Sequence, residues 1–590
     1  MEDELKAFID TRFNLPAIEG EDKVCSLEEA VRRNIRPGMS IHVANKVGAL
    51  VYQTVREFWD KKPDFTYIST GLSAHILAFL RCNMLKKAVV SFAGNTYPTS
   101  GPNPQVQKAY VSGAVEFENW TMLTLPMRLL GGAFGWDFVP TKSLIGSSME
   151  EENKDNFTVV DSPFGGGRKV GLMRSLRPDI SLVHGLVADR SGNTIMPYPL
   201  GVDAYGAWAA KEGVIVSVDH VVPTEYIRSH GHLARIPSYM VKAVCEVPFG
   251  AHPGGVYNGG LPQFEGYFDD YDFTTVIRDA SMDDTRFMAF IQEWILNCRT
   301  HEQYIDKLGK ERLRYLKDKA KPHAWVVETM GAVPQVDFQK ESNKLERLVI
   351  AASRFVVDRF REKGYKTLLT GVGLSNLAAW LANYQLKEMK HDVDLCAEIG
   401  MYGYMPRPSD PTIFSMHDYP SCKVLTNIEV ALGIMVGGSA RSCMAVLAAG
   451  QLDQYGNGNS TKIPGVFYLV GSGGANDIIT NCNEAVLLVS AGKERLLEKV
   501  PYVTFPGNNV KTLVTDVGIF EKLNDEDTFT LTGYIPYGTA IKEEEAIKGI
   551  RRLVSWELKV APQLKKIDLP SYEEKMMLRL FDPYGFYIGK

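Results

Sequence analysis

The sequence predicts an α/β protein made of two related open domains with mostly parallel sheets. Three observations support this prediction. At 590 residues, the chain is too long for a single hydrophobic core. Strand-like and helix-like patterns alternate along most of its length, as they do in proteins with parallel sheets. One unit of strand, turn, helix, strand and glycine is also found twice.

The two copies of this unit lie in opposite halves of the chain. The first copy consists of strand-like 39–44 (MSIHVA), helical 47–59, strand-like 65–69 (FTYIS) and Gly71. The second copy consists of strand-like 366–370 (KTLLT), a helix near 375–384, apolar 395–397, Glu398 and Gly400. This similarity of order predicts that the two halves share one topology.

A second pair of segments supports the duplication and helps to place the domain boundary. Residues 183–193 (VHGLVADRSGN) and 449–459 (AGQLDQYGNGN) each contain a short apolar segment, an Asp and a Gly-Asn turn. An amphipathic region from about Ser281 to Lys321, continued to Ser342, is the expected crossing between the halves. We therefore expect domains at residues 1–342 and 343–590.

Composition and charge exclude several classes of protein. The net charge of −5 and the pI of about 6.2 provide no basic field for nucleic acid. The acidic start MEDELKAFID lacks the features of a signal peptide, and no apolar run has membrane-spanning length. The eight cysteines show no zinc or redox spacing, which favours free thiols in the cytoplasm. We expect a cytoplasmic protein with neither a nucleic-acid nor a membrane partner, and no metal.

Glu398 is the position at which the repeated unit becomes chemically asymmetric. Aligning FTYISTG with LCAEIG places Ser69 against Glu398, a hydroxyl against a carboxylate. The carboxyl end of a parallel strand is where α/β sheets bind ligands. Gly400 and Gly403 remove side chains from the following turn, so a bulky ligand could approach the carboxylate. An exposed turn glutamate is the alternative interpretation.

Two further turns contain candidate binding groups. Residues 471–477 (GSGGAND) can present successive backbone N–H groups to an anion, although a tight glycine turn explains them equally. This segment is neither a dinucleotide fingerprint nor a Walker loop. In residues 451–461 (QLDQYGNGNST), the Asn459 amide can donate to a substrate oxygen, or it can bond its own backbone. No Gly-x-Ser-x-Gly or His-Glu-x-x-His motif indicates a serine hydrolase or a zincin.

These segments, taken together, resemble the family I coenzyme A transferases, most closely the glutaconate CoA-transferase type. The family's A and B subunits are usually separate polypeptides, and here they look fused. The A-like segments are 125–143, 178–193, 214–222 and 247–254. The B-like segments are 371–382, the Glu398 turn, 451–461 and 471–477. The resemblance implies open α/β domains of the CoA-transferase type, with the active site between them.

The resemblance also implies a mechanism. Glu398, in a Glu-x-Gly-x-x-Gly context, matches the family's catalytic glutamate, which carries first the acyl group and then coenzyme A as a glutamyl-CoA thioester. The thioester energy is conserved, so no bound cofactor, metal or ATP is needed, and CoA thioester is a substrate. Similarity to the family suggests oxyanion and CoA-binding roles for a set of turn residues: Gly400, Gly403, Asn459, Gly473 and Gly474. Ser69 and Gln451 are the candidate binding residues for the acid substrate, with a satisfied strand-end hydroxyl as the alternative for Ser69.

The predicted function is therefore that of an acyl-CoA:carboxylate CoA-transferase with a ping-pong mechanism. Two alternatives remain at this point. One is an acyl-CoA thioester hydrolase or another acyl-CoA-processing enzyme on the same fold. The other is a non-enzymatic acyl-CoA-binding protein, which would need no carboxylate at position 398. The expected partners are an acyl-CoA, a carboxylic acid and further copies of the chain, in a homodimer or homotetramer.

Overall fold

The computed structural model describes residues 1–200, 202–523, 526–536 and 542–589. The helices of the first half are α1 Glu2–Arg12, α2 Leu27–Asn34, α3 Gly48–Phe58, α4 Leu77–Arg81, α5 Pro104–Val111, α6 Thr124–Ala133, α7 Ser148–Glu152, α8 Asp203–Ala209, α9 Thr224–Ser229, α10 Tyr271–Ser281, α11 Asp284–Ile291, α12 His301–Leu308, α13 Lys310–Lys319 and α14 Ala324–Ala332. Those of the second half are α15 Lys344–Lys363, α16 Leu374–Glu388, α17 Ala475–Asn481, α18 Glu543–Arg551 and α19 Tyr572–Phe581.

The strands are short and fall into two large sheets and several small ones. Those of the first half are β1 Ser40–Val43, β2 Phe65–Ile68, β3 Gly71–Leu72, β4 Leu85–Val90, β5 Phe92–Ala93, β6 Glu116–Asn119, β7 Phe138–Thr141, β8 Phe157–Asp161, β9 Lys169–Arg174, β10 Ile180–Asp189, β11 Thr194–Ile195, β12 Gly213–Val222, β13 Ala234–Ile236 and β14 Val241–Glu246. Those of the second half are β15 Thr367–Thr370, β16 Asp394–Ala397, β17 Met401–Tyr402, β18 Val424–Leu425, β19 Cys443–Ala448, β20 Gln451–Asp453, β21 Gly458–Asn459, β22 Lys462–Ile463, β23 Phe467–Tyr468, β24 Glu484–Leu488, β25 Leu496–Leu497, β26 Val510–Val514, β27 Gly518–Glu521, β28 Thr530–Tyr534 and β29 Lys559–Lys566.

The two large sheets share one parallel arrangement, which confirms the predicted fold class. In the first half, β2, β1, β10, β12 and β14 lie side by side in that order, with every neighbouring pair parallel. In the second half, β16, β15, β19, β24 and β26 repeat the same order, again all parallel. The helices α3 and α16 each connect the first two strands of this arrangement.

The second predicted repeat is also a common local structure. The Asp189 carboxylate accepts hydrogen bonds from the backbone and side-chain nitrogens of Asn193. The Asp453 carboxylate accepts the corresponding hydrogen bonds from Asn457. In both halves the Asn lies four residues after the Asp. In both halves an Asp at the end of a strand thus closes a turn by bonding to its backbone.

The two halves share part of one hydrophobic core. A buried cluster combines Ile68 and Trp120 of the first half with Leu369 and Cys396 of the second. A second cluster lies mainly within the first half and a third mainly within the second. Because the sheets pack around a common core, the carboxyl ends of their strands are held at fixed positions relative to each other.

The segment between the halves is helical, and a well-formed helix start follows it. Phe273, Ile277 and Phe287 of α10 and α11 pack into the first-half core. Asn343 then caps α15 in a capping box with Glu346, whose carboxylate accepts the Asn343 N–H at 2.8 Å. The proposed division at residues 342 and 343 therefore coincides with the start of α15, and it stays a prediction.

The apolar segment before the glycine turn at 471–477 forms only a short strand. Residues 466–470 contribute only β23, which pairs with β22 outside the two large sheets. The Val470 carbonyl accepts the Ala93 N–H of the first half at 2.8 Å. This segment therefore bonds across the boundary between the halves, and it places the glycine turn that follows it against the first-half sheet.

Candidate active site

A cavity of about 500 Å³ lies between the two halves and is lined by both. Its size is typical of pockets that hold small-molecule ligands. The first half contributes residues in or after β1, β2, β3, β5 and β11, including Asn45, Thr70, Gly71, Tyr97 and Met196. The second half contributes residues at or after the ends of β15, β16, β19 and β23, including Val372, Glu398, Ala448 and Gly474. The cavity thus lies at the carboxyl ends of the strands, where parallel sheets bind ligands.

Glu398 is the first residue after β16, and its carboxyl group lines this cavity. Its strand is parallel to β15, so the side chain lies at the sheet edge that the sequence predicted. The side chain is only partly accessible, and surrounding protein atoms remove most of its hydration. A carboxylate in this position can react with a ligand in the cavity while bulk water is largely excluded.

The turn after β23 lies against the Glu398 carboxylate. A Cβ atom on Gly474 would lie 1.9 Å from Glu398 Oε2, so any larger residue there would displace the carboxylate. The Gly474 backbone N–H lies close enough to the carboxylate to lower the pKa of Glu398. Next to it, Ser472 lines the cavity, is 3% exposed, and its Oγ bonds to nothing in the described part of the chain. The Gly473 N–H, by contrast, already donates to the Ser91 carbonyl at 2.9 Å.

The environment of Glu398 favours its neutral form. Burial raises the pKa of Glu398 to about 7, the nearby Asp477 carboxylate also raises it, and the Gly474 hydrogen bond opposes both. Burial likewise raises the pKa of Asp477 to about 6. The Asp477 carboxylate accepts the Thr121 hydroxyl at 2.7 Å and the Leu123 N–H at 2.9 Å. Asp477 therefore joins the two halves directly behind the candidate nucleophile.

Gly400 and Gly403 serve the packing of the chain instead of opening the cavity. At Gly400, where φ is +116°, a Cβ would lie 2.2 Å from the Thr426 carbonyl oxygen. At Gly403 a Cβ would lie 2.7 Å from side-chain carbons of Lys423. Neither glycine lines the cavity. The expected space for a ligand beside these two residues is thus filled by the segment that forms β18.

Three other predicted site residues have partners within the protein and do not line the cavity. The Asn459 amide donates to Gln451 Oε1 and to the Lys462 carbonyl, both at 2.9 Å. Gln451 in turn donates to the Glu494 carbonyl at 3.2 Å. Ser69 is the first residue after β2, as its alignment with Glu398 predicted, but it is fully buried and donates to Asn45 Oδ1 at 3.5 Å. Its neighbours Thr70 and Gly71 line the cavity instead.

Sequence reasoning missed three residues that the fold brings to this site. Ser472 and Asp477 lie inside the glycine turn singled out from the sequence, and a hydroxyl beside paired glycines was the available signal for Ser472. Tyr587, near the end of the chain, lines the cavity as well. Nothing local in the sequence indicated this position, because it depends on how the C-terminal segment packs against α15 and α16.

Comparison with known proteins identifies the family. Residues 24–247 match the family model described as Coenzyme A transferase. Over 314 residues the chain is 26% identical to the A subunit of glutaconate CoA-transferase from Acidaminococcus fermentans, covering 50% of this chain and 94% of that protein. It is also 25% identical to the B subunit of 3-oxoadipate CoA-transferase from Pseudomonas knackmussii, over 40% of this chain and 92% of that protein. Residues 24–247 therefore form a coenzyme A transferase domain. Because the chain is similar to both types of subunit, it is an enzyme with A-like and B-like parts in one polypeptide.

A solved structure supports the fold of this CoA-transferase over nearly its whole length. An acyl-CoA transferase of Escherichia coli O157:H7, solved in a thioester complex with CoA, superimposes with a TM-score of 0.62. The match covers 96% of this chain and 97% of that one at 14% identity, which shows the shared fold. Within the described residues, no helix is long and apolar enough to cross a membrane, and no cluster of His, Cys, Asp and Glu is arranged to hold a metal ion.

Proposed function

We propose that this chain transfers coenzyme A between an acyl-CoA and a carboxylic acid, with Glu398 as the covalent nucleophile. The observation that carries the proposal is the position of the Glu398 carboxyl group. It follows a parallel strand, lines a cavity between the two halves, and lies against Gly474, where an added side chain would displace it. A partly dehydrated carboxylate beside fixed hydrogen-bond donors is suited to nucleophilic catalysis.

The proposed reaction has two half-reactions that are the reverse of each other. A Glu398 carboxylate oxygen attacks the thioester carbonyl and the C–S bond breaks. CoA leaves as the thiolate, and the acyl group remains on Glu398 as a mixed anhydride. The thiolate then attacks the glutamyl carbonyl, and the first acid leaves as its carboxylate. A second carboxylate attacks the resulting glutamyl-CoA thioester, and the same steps run backwards. Each step exchanges one acyl bond for another, so no external energy source is consumed.

Each tetrahedral intermediate carries an oxyanion, which hydrogen-bond donors must stabilise. The Gly474 N–H and the Ser472 hydroxyl are the two donors that we assign to this role, since both residues line the cavity with Glu398 and the Ser472 Oγ has no other partner in the described part of the chain. Asn459 and the Gly473 N–H, which the family resemblance suggested, use their hydrogens on protein acceptors. Ser472→Ala should therefore lower kcat by about 10²-fold, the usual effect of removing one such donor.

The raised pKa of Glu398 is compatible with this role. The residue must be ionised to attack, and a pKa of about 7 leaves roughly half of the free enzyme ready near neutral pH. A dehydrated carboxylate loses less solvation on reaching the transition state than one in water. Asp477, fixed by Thr121 and Leu123, keeps a second negative charge close by without facing the same ligand.

The decisive experiment is to trap the covalent intermediate. Incubation of the protein with acetyl-CoA alone should produce one glutamyl-CoA thioester per chain, cleaved by hydroxylamine and reduced by borohydride. Peptide mass spectrometry should locate the modification at Glu398, and Glu398→Gln should form no adduct. An active enzyme with its adduct at another residue, or with no adduct, would refute the proposed mechanism.

The same experiment separates transfer from hydrolysis. An acyl-CoA hydrolase would release free CoA continuously from acetyl-CoA in the absence of any acceptor acid. A transferase should instead release one equivalent of acetate, keep CoA on Glu398, and form a new acyl-CoA only when a carboxylic acid is added. The rate of free CoA release without an acceptor therefore shows how well the cavity excludes water from the intermediate.

A further inference from the structure

The C-terminal segment, residues 582–589, has a defined conformation. The Asp582 carboxylate is 1% exposed and accepts the N–H groups of Phe586, Tyr587 and Ile588 at 2.8, 2.7 and 3.0 Å. These three bonds close the segment into a compact turn directly after α19. The positions of the side chains in this turn are therefore determined by a buried acceptor.

Contacts with α15 hold this segment against the second half. Asn343 Nδ2 donates to the Ile588 carbonyl at 2.9 Å. Arg579 of α19 pairs with Glu346 of α15 at 2.6 Å, and both side chains are buried. Ile588 is 3% exposed and packs in the second-half core. These contacts hold residues 582–589 against the N-terminal end of α15, beside the cavity.

From this position the segment forms part of the cavity wall. Tyr587 lines the cavity, and a Cβ on Gly373 would lie 3.7 Å from its ring. Its neighbour Phe586 packs edge-on against Tyr97 of the first half at 5.8 Å. Tyr97 in turn stacks on Tyr271 at 4.2 Å between ring centroids, and both of these tyrosines line the cavity. An aromatic wall thus joins the two halves and the C-terminal segment.

The cavity lining offers no unpaired cation to a bound acid. Among the lining residues that the structure describes, Lys46 is the only Lys or Arg, and its ammonium pairs with Asp269 at 3.0 Å. Asp203, Asp269 and Glu398 contribute carboxyl groups to the same lining. A second carboxylate on a bound acid would have no free cation to pair with, and burying an unpaired charge is costly.

Much of the remaining wall is apolar. Side chains that can contact a hydrocarbon tail come from both halves: Phe92, Met122, Met196, Ile399, Phe414 and Met416. We infer that the acid substrate is a monocarboxylic acid with a bulky apolar or aromatic tail, and that Tyr587 determines the size of tail accepted. This inference rests on the proposed transferase function and adds to it the chemical class of the acid.

The test compares acids of matched length, with acetyl-CoA as the CoA donor. Pentanoate and glutarate differ only by a second carboxylate, and phenylacetate adds a ring. We expect kcat/KM for pentanoate and for phenylacetate to exceed that for glutarate by about 10²-fold or more, because an unpaired buried charge is rejected strongly. A preference for glutarate would overturn the inference.

The role of Tyr587 is tested with variants that change its volume. Tyr587→Trp should lower kcat/KM for phenylacetate by about 10-fold or more relative to acetate, while Tyr587→Ala should favour phenylacetate further. The matched control is Tyr572→Ala at the start of α19, where the side chain is 50% exposed and selectivity should not change. A change only in KM for acetyl-CoA would mean that Tyr587 contacts the coenzyme, which contradicts the inference.

The trapping experiment distinguishes failure of the substrate inference from failure of the proposed function. If the Glu398 adduct forms but CoA is not passed to pentanoate or phenylacetate, the proposed mechanism stands and the substrate inference fails. If no adduct forms at Glu398, the proposed function fails and the substrate inference fails with it.

Discussion

Glu398 Oε2 occupies the space that a side chain at position 474 would need, at 1.9 Å from an ideal Cβ on Gly474. The glycine therefore permits two contacts at once. The carboxylate can approach the turn after β23, and the Gly474 N–H can bond to it. This relationship connects the strand that presents the nucleophile to the turn that would stabilise the oxyanion.

Gly474→Ala should lower the transferase kcat by at least about 10²-fold. The added methyl group displaces the Glu398 carboxylate, and small misplacements of reacting groups are costly. The fold should persist, since the far end of Glu398 can move. Gly433→Ala is the matched control, because a Cβ there meets nothing within 4 Å. Steady-state rates and thermal unfolding of both variants check this, and normal turnover by Gly474→Ala would contradict the assigned geometry.

Glu398 itself was predictable from the sequence because its signal is local. A carboxylate at the end of an apolar strand, opposite a hydroxyl in the other copy of the unit, needs only strand assignment and alignment. The topology followed in the same way, since alternating patterns and repeated order indicated the parallel strands of each sheet.

The donors around Glu398 were harder to predict because they depend on long-range contacts. The sequence shows that Asn459 is in a polar turn, but not that Gln451 and Lys462 already accept its hydrogens. Likewise, Gly400 and Gly403 indicate close approach without identifying what approaches, which proved to be the protein's own β18 segment. Tyr587 reaches the cavity only through the packing of α19 on α15, which no local pattern records.

Shortening the nucleophile should be almost as damaging as removing it. Glu398→Asp moves the carboxylate back by about one bond length, away from the Gly474 N–H, and we expect a loss of about 10²-fold or more in kcat. Glu398→Gln should abolish transfer, because an amide cannot form the mixed anhydride. The measurement is the rate of CoA transfer together with the amount of adduct trapped from acetyl-CoA. Near-normal transfer by Glu398→Asp would argue against direct attack.

The rate of adduct formation should depend on pH through the ionisation of Glu398. Because the ionised form attacks, kcat/KM for acyl-CoA should rise with pH and level off above about 7. Asp477→Asn removes the nearby charge that raises this pKa, so the midpoint should move to lower pH. The pH profiles of both proteins provide the test. A flat profile from about pH 5 to 8, or a midpoint that moves upward in Asp477→Asn, would be inconsistent with the assignment.

Glu398 should also make stability depend on pH in a defined direction. Its pKa is about 7 in the folded protein against an ordinary value of 4.5, so the folded state holds the proton more tightly. Stability from this group is therefore complete below about pH 4.5 and is lost as pH rises towards 7. Glu398→Gln does not ionise, so its unfolding temperature should exceed that of the unaltered protein at about pH 8. The two proteins should unfold at similar temperatures at about pH 5, and the opposite trend would contradict the raised pKa.

The buried pair of Arg579 and Glu346 should hold the C-terminal segment in place. Arg579→Met leaves Glu346 buried without its charge partner, and removal of one partner from such a pair costs about 3–5 kcal/mol. Adding Glu346→Gln should recover much of this loss, because no unpaired charge remains. Thermal unfolding of the single and double variants measures the effect. Lys61→Ala, which breaks an exposed pair with Glu57, is the control and should cost no more than about 1 kcal/mol.

Since the pair of Arg579 and Glu346 also positions Tyr587, Arg579→Met should reduce discrimination between phenylacetate and acetate. Unchanged selectivity together with unchanged stability would show that the C-terminal segment is held by other contacts.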